Sequence, residues 1–144
     1  MRASVRGKSR CVTRPDNPFA AADAGTVYDR GRPFHHPRTL ARILALVGDA
    51  AIERGVDVAC GTGMSTIALG EHAASVVGID ASPEMLQAAR RVPGVSYLLG
   101  SAERLPFADT GVDAVTCCSG VHWFDQTRFF SEPSVRLCLK GHKP

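Results

Sequence analysis

The chain has 144 residues, enough for one domain with a real hydrophobic core. It is 44% hydrophobic and 22% charged, the balance of an ordinary globular protein. The formal net charge is only +3, and seven of the 17 basic residues precede Pro33, so no dense basic face with interleaved aromatics is built and a nucleic-acid partner is not expected.

Residues 1–17 are polar, basic and aperiodic, which predicts a flexible arm ahead of a single domain over residues 18–144. Small residues, prolines and turn formers from Pro18 to Pro37 predict irregular backbone or a short helix. Pro37 opens a helical pattern in which Leu40, Ile43, Leu44 and Val47 share a face, and Gly48 stands at its stop. Val56-Asp57-Val58-Ala59-Cys60 reads as a strand that runs into Gly61-Thr62-Gly63. Residues 64–74 read as a helix, and residues 75–80 as a second, β-branched strand. Ser82-Pro83-Glu84 supplies an N-cap, a proline at the first helical position and an early acid. Residues 95–99 and 112–118 read as a third and a fourth strand. Strands that are continuously apolar are buried on both faces, so the reading is a parallel sheet flanked by helices on each side.

No apolar run approaches the ~18 residues of a membrane span, and the basic start lacks the apolar stretch of a secretory signal. The cysteines, Cys11, Cys60, Cys117, Cys118 and Cys138, include no C-x-x-C pair. They read as small buried hydrophobes in a reducing compartment, with Cys117 and Cys118 pointing to opposite faces of a strand. The expectation is a soluble cytoplasmic protein with no membrane partner.

The chemistry concentrates where the first strand turns into its helix. Gly61 and Gly63 permit a sharp turn and close approach of a ligand, and the following helix offers unpaired N–H groups. Asp80 ends the second strand, which a right-handed β-α-β unit brings beside that turn. A carboxylate there can accept hydrogen bonds from both hydroxyls of an adenosine ribose. A dinucleotide fingerprint needs a third glycine where this chain has Thr66. A phosphate loop ending in Gly7-Lys8-Ser9 would need a glycine where Arg2 stands. NAD and ATP are therefore disfavoured.

Taken together, these blocks resemble the class I methyltransferases that use S-adenosylmethionine (SAM). Val56-Asp57-Val58-Ala59-Cys60-Gly61-Thr62-Gly63 is similar to their motif I, and Val77-Gly78-Ile79-Asp80-Ala81-Ser82-Pro83-Glu84-Met85-Leu86 to their ribose segment. Gly100-Ser101-Ala102-Glu103-Arg104-Leu105-Pro106-Phe107 resembles their adenine segment, and Gly111-Val112-Asp113-Ala114-Val115 their fourth strand. Val121-His122-Trp123-Phe124-Asp125 is similar to the branch called methyltransferase type 11. The resemblance implies an α/β fold with a Rossmann-like, doubly wound, mainly parallel sheet, helices on both faces and the usual last strands lacking. It implies SAM as cofactor and a small-molecule methyl acceptor as partner. Asp57, with backbone from Ala59 through Gly61 and Gly63, would face the methionine end; Asp80 would hold the ribose, with Ala81 and Met85 lining the adenosine pocket. Ser101, Ala102 and Glu103 would edge the adenine, and Ser119 would sit near the methyl group. Tyr28-Asp29-Arg30-Gly31-Arg32-Pro33 resembles a segment that folds over the cofactor.

Two positions depart from the family pattern. Ala59 stands where a glycine is usual, a mild change if its φ is negative. Ser101 replaces a common acid and could still bond an exocyclic amine, without a charge. His122 is a candidate general base with no visible catalytic partner, so a packing role weighs more; Trp123 could cage a cationic methyl donor. His35-His36 has no further ligand at metal spacing. Only about 20 residues follow Asp125, room for one helix and at most a fifth strand. An open sheet would then show an unpaired edge, answered by a homodimer, a partner chain or low stability. The alternative reading is a catalytically inactive SAM-binding or protein-interaction module, a truncated isoform or frameshifted product.

Overall fold

A computed structural model describes residues 17–47, 51–107, 111–133 and 138–140. The basic arm, apart from Asn17, and the helix stop expected at Gly48 lie outside the described residues. The elements in order are a 3-10 turn (Pro18–Ala20), α1 (Ala24–Gly31), α2 (His36–Val47), β1 (Ile52–Val58), α3 (Met64–Gly70), β2 (Ala73–Asp80), α4 (Pro83–Gln87), β3 (Val95–Leu99), β4 (Ala114–Cys117), a second 3-10 turn (Val121–Trp123), α5 (Gln126–Phe130) and β5 (Cys138–Lys140).

The sheet is parallel throughout, in the order β3-β2-β1-β4-β5. β1 is thus the hinge of the winding. The chain moves outward to β2 and β3, then returns across β1 to β4 and β5. In such a sheet the loops at the carboxyl ends of β1 and β4 diverge, leaving a crevice. Alternation along the strands sorts the core into two layers. Val56, Val58, Ile79, Val115 and Cys117 face one side with Ala102, Leu105, Val121 and Phe129, the last from α5. On the other side Val76 packs with Leu40 of α2 and with Ala68 and Leu69 of α3. Leu40 is buried as the helical pattern requires, and Ile43 and Leu44 are half-buried beside it. Among the described residues no helix is long and apolar enough to cross a membrane.

Three expectations shift. The third helix ends at Gly70 rather than residue 74, because Ala73 already pairs with Ile52 in the parallel ladder. β4 is shorter than residues 112–118: Asp113 instead turns its carboxylate onto the amide hydrogens of Glu53 (3.0 Å) and Arg54 (2.8 Å), fastening the amino ends of β1 and β4. Burial on both faces holds for β4 and the carboxyl half of β1 but not for β3, an edge strand whose Leu98 and Leu99 are exposed.

Candidate functional site

The turn after β1 is a succession of left-handed residues. Ala59 has φ 54°, Gly61 φ 56° and Gly63 φ 85°. Ala59 therefore does not meet the condition for a mild replacement, since the left-handed region costs a residue with a Cβ about 1–2 kcal/mol. The space above it explains the tightness: a Cβ on Gly120, just past β4, would stand 2.4 Å from that of Ala59. At Gly63 a Cβ would fall 2.0 Å from the Tyr97 hydroxyl, and at Gly61 it would meet only the Met85 methyl, at 3.0 Å. The Cβ side of Gly63 is thus filled by a tyrosine of β3, whose hydroxyl donates to the Arg90 carbonyl (2.9 Å).

Below the turn lies Asp57, fully buried. Ser65 (2.6 Å) and Thr66 (2.8 Å), both in the first turn of α3, donate to one carboxylate oxygen. Thr116 of β4 donates to the other (2.8 Å). Burial pushes the Asp57 carboxyl up to about 6, against the pull of the three hydroxyls. Asp57 therefore presents no surface to a cofactor. It ties α3, β1 and β4 together beneath the turn, and Thr66, the residue that breaks the dinucleotide fingerprint, is one of its donors.

Asp80 sits on the rim. One oxygen accepts from the Gly61 amide (2.8 Å) and the other from the Ser82 amide (2.9 Å). The convergence of the glycine turn and the second-strand carboxylate is therefore direct. The carboxylate is half-buried, and its oxygens keep lone-pair capacity beyond the backbone amides they accept from. Burial raises its pKa, and the backbone amides of Ser82, Gly61 and Ala81 oppose the shift. Ser82 caps α4 by accepting from the Met85 amide (3.2 Å), so Asp80 is not needed as the cap. Ala81 is exposed, while Met85 is buried beneath Gly61.

The adenine segment forms a small turn. Ser101 donates to Glu103, whose other oxygen accepts from the Asp125 amide (2.9 Å). Burial alone would raise Glu103, but these bonds outweigh it and leave the carboxyl below its ordinary value. Ala102 is buried in the core between them. Beyond β4, Ser119 is left-handed (φ 65°) and half-buried, and the neighbouring Cys118 thiol is pushed by burial up to about 12. His122 is exposed and rests against Trp123, 5.1 Å between centroids.

The N-terminal segment closes the crevice, and here sequence reasoning missed most. Asp29 of α1 accepts from the Thr62 hydroxyl (2.9 Å) and pairs with Arg90 (3.1 Å). Gly25 lets α1 lie against Ala88 and Thr62. The Phe19 carbonyl accepts from Ser82 (2.7 Å), and the Phe19 ring stands nearly perpendicular to both Tyr28 (5.8 Å between centroids) and Trp123 (5.1 Å). Gly61, Thr62 and Gly63 are consequently buried. The only signal for this in the sequence was the likeness of residues 28–33 to a covering segment. Nothing in the spacing pairs Asp29 with Thr62.

The family model described as a methyltransferase domain matches residues 56–141. An uncharacterized methyltransferase of Mycobacterium tuberculosis is 37% identical over 121 residues, 83% of this chain and 48% of the relative. A demethylmenaquinone methyltransferase of Deinococcus radiodurans is 44% identical over 105 residues, 63% of this chain and 44% of the relative. Among solved structures, SAM-bound CalS10, an amino pentose methyltransferase from Micromonospora echinaspora, is similar at 34% identity and a TM-score of 0.50, covering 64% of this chain and 39% of that one. The chain spans about half the length of the curated relatives it matches. With the parallel sheet, the glycine turn held to Asp80 and these likenesses together, the chain belongs to the class I SAM-dependent methyltransferases.

Proposed function

We propose that this chain binds SAM along the rim from Gly61 to Ser119 and passes its methyl group to a small-molecule acceptor. The observation that carries the reading is the half-buried Asp80 carboxylate, fixed by the Gly61 and Ser82 amides with lone pairs to spare. Two vicinal hydroxyls are the natural complement of such a carboxylate, which fits the ribose. In this reading Ala81 and Met85 border the adenosine, and Ser101, Ala102 and Glu103 its base. Backbone from Ala59 through Gly63 and Ser119 faces the sulfonium side. Asp57 supports the site from beneath. When bound, SAM supplies an activated methyl on a good leaving group, so the protein contributes alignment and exclusion of water. The small-acceptor reading rests on the demethylmenaquinone and amino pentose named for two of the similar proteins.

Residues 18–144 act as one domain in this reading, with a second copy covering the open sheet edge. The thiols of Cys60 and Cys118, free among the described residues, suit the reducing cytoplasm in this reading.

Calorimetric titration with SAM, followed by an assay of S-adenosylhomocysteine release over a pool of small acceptors, tests the reading. Binding with turnover is expected. Binding without turnover would favour the inactive SAM-binding module, and no binding would remove both. Asp80→Ala should weaken SAM by about 1–3 kcal/mol, the scale of a charged hydrogen-bond partner, and unchanged affinity would sink the ribose assignment.

A further inference from the structure

Helix α2 turns two unlike faces to its surroundings. On one, Leu40 is buried against Ala68 and Leu69 of α3, with Ile43 and Leu44 half-buried beside it. The other begins at His35, just before the helix, and continues through Thr39, Arg42 and Leu46. These recur every three or four residues and so line up along about three turns, with Arg38 beside them. The stripe holds no acid, for α2 contains none from His36 to Val47. Among the described residues the ion pair formed is that of Arg90 with Asp29. Arg38 and Arg42, four residues apart, therefore repel each other with no carboxylate between them.

His35, Arg38, Thr39 and Arg42 line a recess of about 210 Å³. Clefts for drug-sized ligands run to about 300–1,000 Å³, so this one suits a single tetrahedral anion or headgroup. The His35 Nδ1 donates to the Pro33 carbonyl (3.0 Å), which leaves Nε2 for a ligand. Its ring is stacked on that of His36, 4.8 Å between centroids, and the Thr39 hydroxyl donates to the His35 carbonyl (3.3 Å). The imidazole is thus held in place, while both arginines are exposed. Exposed apolar side chains stand at either end. Phe34 is 51% exposed, and Leu46 is 87% exposed, the highest value for a large hydrophobic among the described residues. A nucleic acid would satisfy the arginines and leave Leu46 in water. The interface of an anionic bilayer satisfies both, since its phosphates lie next to its acyl chains.

We propose that the outer face of α2 rests on an anionic membrane surface. The recess takes a phospholipid headgroup phosphate among His35, Arg38 and Arg42, while Phe34 and Leu46 enter the acyl boundary. The expectation of no membrane partner rests on the lack of a spanning stretch, and a helix that lies on a surface needs none. The proposal stands independently of the SAM reading.

The test sediments the full chain with vesicles of phosphatidylcholine mixed with phosphatidylglycerol, and with vesicles of phosphatidylcholine alone. Binding to the mixed vesicles should exceed binding to the neutral ones by about tenfold or more and fall as salt rises. Arg38→Gln and Arg42→Gln should each weaken it about fivefold, and Leu46→Gln severalfold at low and high salt alike. All three side chains are exposed, so these variants keep the fold. The basic residues before Pro33 attract the same vesicles. Binding that survives the paired Arg38→Gln and Arg42→Gln change would assign the contact to them and overturn the proposal. Saturable binding of inorganic phosphate without vesicle binding would make the recess a site for a free anion. Binding to a random DNA duplex in place of vesicles would make the face a nucleic-acid surface. Self-association in their place, lost in Leu46→Gln, would make it a contact between copies. Each of these three, like no binding at all, overturns the membrane assignment.

Discussion

Two aspartates, Asp57 on β1 and Asp80 on β2, flank the same glycine turn and do opposite work. Asp57 is fully buried and takes three side-chain hydroxyls, spending its acceptor capacity on α3 and β4. Asp80 is half-open and takes two backbone amides, one of them from the turn. The difference shows that burial and donor count, not proximity to the motif, separate a carboxylate that shapes a site from one that can serve it. Both carry the same formal charge, yet only Asp80 retains both a surface and free lone pairs.

The comparison breaks most readily at Asp57. Asp57→Val should cost about 3–5 kcal/mol in urea unfolding, since it leaves three buried hydroxyls without their acceptor. A loss under about 1 kcal/mol would show that the layer below the turn does not depend on this carboxylate. The glycines sharpen the contrast next. Gly63→Ala must displace Tyr97 as well as bear a left-handed φ, and should cost about 3 kcal/mol. Gly61→Ala meets only the end of Met85 and should cost about half as much; equal costs would deny Tyr97 its role.

A pH titration of stability gives a smaller, graded effect. The folded Asp57 carboxyl holds its proton up to about 6, above its ordinary range, so the folded state binds that proton more tightly than the unfolded chain. Its contribution therefore favours folding at low pH and is lost as pH rises from about 4 to about 6, by on the order of 2–3 kcal/mol. Asp57→Asn should flatten that part of the profile, and a profile identical to wild type would contradict the burial argument. Smallest of all, Ala59→Gly should stabilise the chain by about 0.5–1 kcal/mol, relief of a left-handed alanine less a half-buried methyl. A destabilised variant would mean that the contact with the fourth-strand turn outweighs the strain.

The parallel sheet was legible because Val56, Val58, Val76 and Ile79 are apolar on buried strands, and β3 was placed to the residue at 95–99. Ser82 and Pro83 announced α4 by local chemistry alone. The position of Asp80 followed from the handedness of one crossover. Local pattern failed where a side chain's environment is assembled from distant chain. Asp57 looks identical on the page whether exposed or sealed, because Thr116 reaches it across 59 residues. Ala59 lies against Gly120, 61 residues on, and the grip of Asp29 on Thr62 joins residues 33 apart. The edge exposure of Leu98 and Leu99 could not be read either, since strand composition does not reveal strand order.

Trp123 is the one tryptophan in the chain, and it is 39% exposed with its indole nearly perpendicular to the Phe19 ring. The intrinsic fluorescence of the protein is thereby wired to a contact between the fourth-strand side of the sheet and the first helical turn. Emission should redden whenever that turn lifts away, so the chain carries a built-in optical reporter for stopped-flow work without any attached dye.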